Sequence, residues 1–241
     1  MSRGLGRNVP PDWGHVEKYP LAALAAPPTI VPVVLGVNWY SAFDDPEKAS
    51  DGHYWIARSG KLGSVRGGHC FCLQPAPNRA VPGKEQDNPV WWPFYNQGAE
   101  GSCVGHGTSR GMSLLNRKRY DAVWLYDQAR KIDGDPNPDH EGSTVRAGFE
   151  ILRTVGHRVA RGTVTTHLSS SAKPSKAEGI SAYRWATGAA AVLDALGTPG
   201  ASFVTLLNSW GRDYPETVRM PVGVLDRLIA EDGEAGIVTD R

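Results

Sequence analysis

The chain has 241 residues, of which 26 are basic and 25 acidic, leaving a formal net charge of +1. That balance gives no general attraction to nucleic acid or acidic lipid, and 40% hydrophobic against 21% charged residues excludes a disordered chain. The length suits one two-lobed domain or two small ones, and 28 glycines with 18 prolines predict a turn-rich fold of mixed α and β type.

Residues 1–28 are polar and proline-rich and read as a surface arm. No apolar h-region follows the N-terminal arginines, so no signal peptide is expected. The longest uncharged stretch, 19–43, is broken by Pro20, Pro27, Pro28 and Pro32, so no membrane-spanning helix is expected. Three cysteines, Cys70, Cys72 and Cys103, cannot all pair within one chain; a reducing compartment such as the cytoplasm is the simpler reading.

Residues 31–40 form a β-rich run and predict a buried strand. Two more strands are expected at 53–58 and 65–73, separated by a turn at Ser59-Gly60-Lys61. Residues 74–89 lack apolar periodicity and read as a linker. Helical character follows. Ser102 is placed to cap a helix starting at Cys103, with Val104, Thr108, Gly111 and Leu115 on one face. Gly105, Gly107 and Gly111 are costly in an exposed helix, which predicts a central, closely packed one. Ser143 is expected to cap a second helix with Val145, Phe149 and Leu152 inward and Gly156 at its end. A short helix is expected over 189–196, a strand over 203–207, and a last helix over 221–231 with proline at its start.

The chemistry concentrates in Asn96-Gln97-Gly98-Ala99-Glu100-Gly101-Ser102-Cys103. A thiol is a useful nucleophile as thiolate, and a helix N-terminus favours that charge. The Gly-Ser lead-in permits a tight turn that frees the Cys103 N–H for a developing oxyanion, and Gln97 can add a second donor from its amide. Two further segments fit this scheme. Gly67-Gly68-His69 leads into an apolar strand and offers a base. Leu207-Asn208-Ser209-Trp210-Gly211 ends another strand, where Asn208 can accept a His ring proton and Trp210 can shield that bond from water. The plainer readings are a small buried cysteine, a partly buried strand histidine and a turn beside a core tryptophan.

Together these segments resemble the papain-like cysteine peptidases, including bacterial and phage members, whose left-lobe pattern Leu125-Tyr126-Asp127-Gln128-Ala129-Arg130 followed by Glu141-Gly142-Ser143 also resembles. The resemblance implies an α+β, two-lobe fold with a helical left lobe around the Cys helix and a β-rich right lobe. Its parts would be the arm at 1–28, right-lobe β segments at 29–77 carrying His69, and a linker at 78–95. The left lobe would follow at 96–187 with Cys103, and the rest of the right lobe at 188–241 with Asn208. It implies Cys103, His69, Asn208 and Gln97 as catalytic residues, Trp210 and Ser102 as supporting ones, and no metal or cofactor.

The chain departs from the family in four respects. Glu100 stands where a disulfide cysteine is usual, and Val104 stands where an aromatic residue follows the nucleophile. No long pro-segment is expected ahead of the lobes. The order is His69, Cys103, Asn208 instead of Cys, His, Asn, and no circular permutation produces it. Gly197-Thr198-Pro199-Gly200 would lead naturally into Val33-Val34-Leu35-Gly36, so the His-bearing block is either transposed or joined out of genetic order.

Other features have duller readings. A zinc site at His69-Cys70-x-Cys72 has no evident fourth ligand. Residues 133–139 contain prolines and lack EF-hand spacing, so they read as a surface loop. His106 projects beside the thiol, and His69 is preferred as base. His15, His53, His140, His157 and His167 read as surface or packing residues. The expected activity is peptide-bond hydrolysis through a Cys103 thioester on a peptide or protein substrate, in the cytoplasm, or virion-associated if phage-encoded. Two alternatives stay open: hydrolysis of a non-protein amide such as cell-wall peptide, and a non-catalytic scaffold with a virion or assembly partner.

Overall fold

A computed structural model describes residues 31–74, 95–137, 139–160, 173–212 and 214–240. The 1–28 arm lies outside them, as does the 78–95 linker except Tyr95, which is buried. Strand β1 (Val33–Tyr40) alternates its side chains between two apolar clusters, Val33, Leu35 and Val37 on one face and Val34 on the other. A strand covered on both faces needs a nearly continuous apolar run, and this segment is apolar apart from Asn38. Its antiparallel partner β4 (Val65–Leu73) does the same: Phe71 and Leu73 face one cluster, Cys70 the other.

Short strands β2 (Glu47–Lys48) and β3 (Tyr54–Trp55) lie between them in sequence. The strand expected over 53–58 shrinks to two residues because the chain turns at once: Ala57 has a positive φ of 48° and Gly60 one of 75°. Helices α1 (Cys103–Asn116), α2 (Ala122–Arg130) and α3 (Val145–Thr154) follow, and then strand β5 (Ala182–Trp185), helix α4 (Ala189–Ala195) and strand β6 (Phe203–Leu207). Strand β7 (Thr217–Pro221), helix α5 (Val222–Ala230) and strand β8 (Glu234–Asp240) complete the chain. Among the described residues, five helices accompany one eight-stranded sheet of order β2-β3-β7-β6-β4-β1-β8-β5. This mixed architecture is compatible with the expected α+β class. No helix among the described residues is long and apolar enough to cross a membrane.

Several local expectations need correction. Ser143 does not cap α3; Thr144 does, its extended backbone letting the hydroxyl accept the Ala147 N–H at 3.1 Å. The last helix begins at Val222, because Pro221 still belongs to β7. Gly156, with φ of 87°, does end α3, and its N–H returns to the Ile151 carbonyl.

Spatial neighbours and sequence neighbours differ in one respect that bears on the site. The Val31 N–H donates to the Ala195 carbonyl at 2.9 Å, so β1 begins at the end of α4. Strand β4 lies between β1 and β6. The block that precedes Cys103 in sequence is thus docked among α4, β6 and β8, which all come after Cys103 in the chain, since pairing depends on position and not on chain order.

Candidate active site

Helix α1 is enclosed on every side, as its glycines predict. A Cβ at Gly105 would press on the Ala122 carbonyl and come within 2.7 Å of Tyr126 Cβ, while one at Gly107 would lie 2.9 Å from Cys70 Sγ. The first contact seats α2 and the second seats β4 against the helix, which puts the α1 N-terminus at the sheet.

Cys103 is the first residue of α1 and is buried. The N–H groups of Cys70, Val104 and Cys103 itself lie near enough to the sulfur to favour its charged form. Two of these are helix-start amides that lack intrahelical partners, and the third comes from the residue after His69. The last is available because β6 pairs with β4 only at Cys72 and Leu73, leaving the stretch at His69 and Cys70 unpaired on that side by β6. Cys103 is therefore brought to the same piece of strand that carries His69.

His69 leaves the strand on the face opposite Cys70. Its Nε2 lies 2.9 Å from Asn208 Oδ1, which also accepts the Ser209 N–H at 2.7 Å. Asn208 Oδ1 can only accept, so Nε2 carries the proton and Nδ1 is left with its lone pair. Trp210 covers the imidazole at a centroid distance of 4.4 Å, and Trp39 meets it edge-on at 4.8 Å. Trp39 and Trp210 also meet edge-on at 4.8 Å, with Tyr214 5.1 Å from Trp210. Edge-to-face pairs of this kind contribute about 0.5–1.5 kcal/mol each beyond burial. Neither Trp39 nor Tyr214 carries a local sequence signal for this role; Trp39 is the penultimate residue of β1, and its role depends on pairing with β4.

Gln97 is buried and joined to the Asn208 segment, its own N–H donating to the Ser209 carbonyl at 2.8 Å beside a bridge between Asn96 and Trp210. Gln97 Nε2 donates to the Glu100 carbonyl at 3.0 Å, which uses one of its two hydrogens. Ser102 holds the N-cap position, but its side chain makes no capping bond. With a backbone at φ −90° and ψ 20°, its hydroxyl turns instead to His106 Nδ1 at 3.2 Å. That correction also places His106: its ring is tied back to Ser102, whose carbonyl lies 3.0 Å from Nδ1.

Burial dominates the electrostatics. It pushes the Cys103 thiol up, against the three N–H groups, and pushes His69 down to about 4 against the Asn208 bond. The resting pair is thus an uncharged thiol and an uncharged imidazole. Cys70 and Cys72 are also free buried thiols, raised by burial, Cys72 to about 12. They face α1 while His69 faces the tryptophans, so the three do not converge. Among the described residues no group of His, Cys, Asp and Glu is arranged to hold a metal ion. Residues 133–137 are organised by side-chain turns, Asp135 N–H on Asp133 and Asn137 N–H on Asp135.

Arg110 escaped the sequence reading entirely. It lies seven residues beyond Cys103 in the same helix, is fully buried, and donates from Nη2 to the Asn208 carbonyl at 3.1 Å. Nothing in Ser109-Arg110-Gly111 signals burial of a cation. Compared with known proteins, the chain matches no family model, no curated protein and no solved structure.

Proposed function

We propose that this chain is a papain-like thiol hydrolase that cleaves peptide bonds, with α1, α2 and α3 as its left lobe and the sheet as its right lobe. The observation that carries the reading is a histidine held by Asn208 through Nε2, on the strand that packs through Cys70 against the helix beginning at Cys103. Nδ1 of His69 takes the thiol proton as the sulfur attacks the substrate carbonyl. The Cys103 N–H and the second Gln97 Nε2 hydrogen receive the oxyanion. Collapse breaks the C–N bond, His69 returns its proton to the leaving amine, and a thioester remains. Water, deprotonated by neutral His69, attacks the thioester and releases the acid and the free thiol. Trp210 and Trp39 keep water off the His69–Asn208 bond throughout.

The uncharged resting pair favours a second reading, a non-catalytic scaffold of the same architecture with an assembly partner. The two differ in what substrate does: an enzyme gains the thiolate–imidazolium state as the reacting carbonyl arrives, whereas a scaffold never ionises Cys103. A peptide or protein is the substrate, with cell-wall peptide as the alternative amide. Free Cys70, Cys72 and Cys103 fit a reducing compartment such as the cytoplasm. Hydrolysis of a mixed peptide library by the protein and by Cys103→Ala tests the reading. Cleavage by the first and none by the second is expected; equal cleavage by both would overturn it.

A further inference from the structure

The main chain of Asn208 is pinned at both ends. Its carbonyl accepts Arg110 Nη2 at 3.1 Å, and its N–H donates to the Glu216 carbonyl at 3.2 Å. The Glu216 carboxylate in turn lies 3.7 Å from Arg110 Nη1, and the Tyr95 ring lies 5.4 Å from the guanidinium carbon. Arg110 therefore joins the helix that carries Cys103 to the segment that carries Asn208, across the sheet edge where β6 has left β4.

The chemistry of this arrangement is not that of a filler. Enclosing a guanidinium is costly unless it is well paired, and Arg110 Nε has no hydrogen-bond partner among the described residues. A methionine of similar length would fill the same space without that cost. What methionine cannot do is donate to the Asn208 carbonyl. That bond fixes the peptide plane from which the Asn208 side chain reaches the imidazole, and a peptide plane is rigid.

We propose that Arg110, braced by Glu216, is a positioning residue for the His69–Asn208 pair: by holding the Asn208 peptide it keeps the proton on His69 Nε2 and the lone pair of Nδ1 available toward the nucleophile. This rests on the thiol-hydrolase reading for its consequence in turnover, but not for its consequence in the tautomer of His69.

The test compares the protein with Arg110→Met, Arg110→Lys and Glu216→Gln, reading the His69 tautomer by imidazole nitrogen NMR, and kcat and KM on a cleaved peptide. In Arg110→Met a substantial Nδ1–H population is expected to appear, with kcat down about tenfold or more and KM little changed. Arg110→Lys, which can give one N–H to the carbonyl, should recover part of the loss. Glu216→Gln alters a half-exposed brace and leaves the main-chain bond in place, so it should shift the tautomer less and stay folded. If Arg110→Met does not fold, Arg110→Lys decides: an added Nδ1–H population with a lowered kcat supports the proposal, and a wild-type tautomer and kcat overturn it. A wild-type tautomer and wild-type kcat in every folded variant would overturn the proposal. A protein that cleaves no peptide overturns the hydrolase reading instead, and the tautomer still decides the role of Arg110.

Discussion

His69 and Asn208 stand 139 residues apart in the chain and 2.9 Å apart in space, with the imidazole lying under Trp210. The bond is buried and Asn208 has no freedom to leave it, because Ser209 N–H shares the same oxygen. Asn208→Ala removes the acceptor and leaves the Nε2–H of His69 without a partner. A loss of about 1–3 kcal/mol in stability is expected from the unsatisfied donor, read as a lower denaturant midpoint at unchanged slope. An unchanged midpoint would mean that the bond contributes nothing.

Trp210 is the main cover on that bond. Since burial is the first cause that lowers His69, Trp210→Ala should let the imidazole titrate nearer 6.5 than its present value of about 4. An NMR titration of His69 measures this directly. A further fall would show that the indole stabilises the charged ring instead of excluding water from it.

Close packing around α1 gives two neighbouring substitutions opposite fates. Gly105→Ala drives a methyl into the Ala122 backbone carbonyl, which cannot move without α2, and should cost about 1–3 kcal/mol or more. At Gly111 the nearest atom is a side-chain methyl, Val34 Cγ2 at 3.1 Å, and alanine's better helix propensity offsets the crowding. Gly111→Ala should therefore stay within about 1 kcal/mol of wild type. Thermal melts of both variants check the contrast.

The buried histidines set the acid limit. His69 and His106 are lowered to about 4 and His157 to about 3, all first by burial. Below 6.5 the unfolded chain binds protons that the native state refuses, so stability rises with pH from those values up to 6.5 and is complete above it. Each histidine contributes a slope approaching ~1.4 kcal/mol per pH unit inside that window. His157 is bonded to Ser109 Oγ at 2.9 Å and to the Arg158 N–H. His157→Asn should lower stability at pH 7 but flatten its dependence between pH 5 and 6.5. An equally steep dependence in the variant would contradict this.

How much the sequence discloses follows from how local each signal is. The start of α1 at Cys103 and the bounds of β4 and β6 are readable because turn residues and apolar runs lie within the segments themselves. Asp121 is an equally local signal, for α2, its side chain accepting the Trp124 N–H at 3.1 Å. Strand β7 was not legible: Thr217–Pro221 ends in a proline and exists as a strand because β3 and β6 flank it. The same holds for Arg110, whose role depends on a segment almost a hundred residues away, and for Trp39, which meets His69 only through the register of β1 with β4. Ser102 shows the reverse failure. A residue at the right position for a cap found a nearer partner in His106.

The chain order also becomes intelligible in these terms. Val31 meets Ala195 at the end of α4, and the sheet is indifferent to which loop delivers the strand. A variant rejoining 29–77 between α4 and β6 should fold to the same hydrogen-bonded His69–Asn208 pair; loss of that pair on rejoining would show that the present connections are required.

The central claim is that Cys103 is a nucleophile activated by His69. Its most direct test is the rate at which a peptidyl thiol-reactive probe labels Cys103 at pH 7, located by mass spectrometry, in the protein and in His69→Ala. Labelling of Cys103 in preference to the buried Cys70 and Cys72, slowed about a hundredfold or more without His69, is the predicted result. An unlabelled Cys103, or equal rates with and without His69, would contradict it.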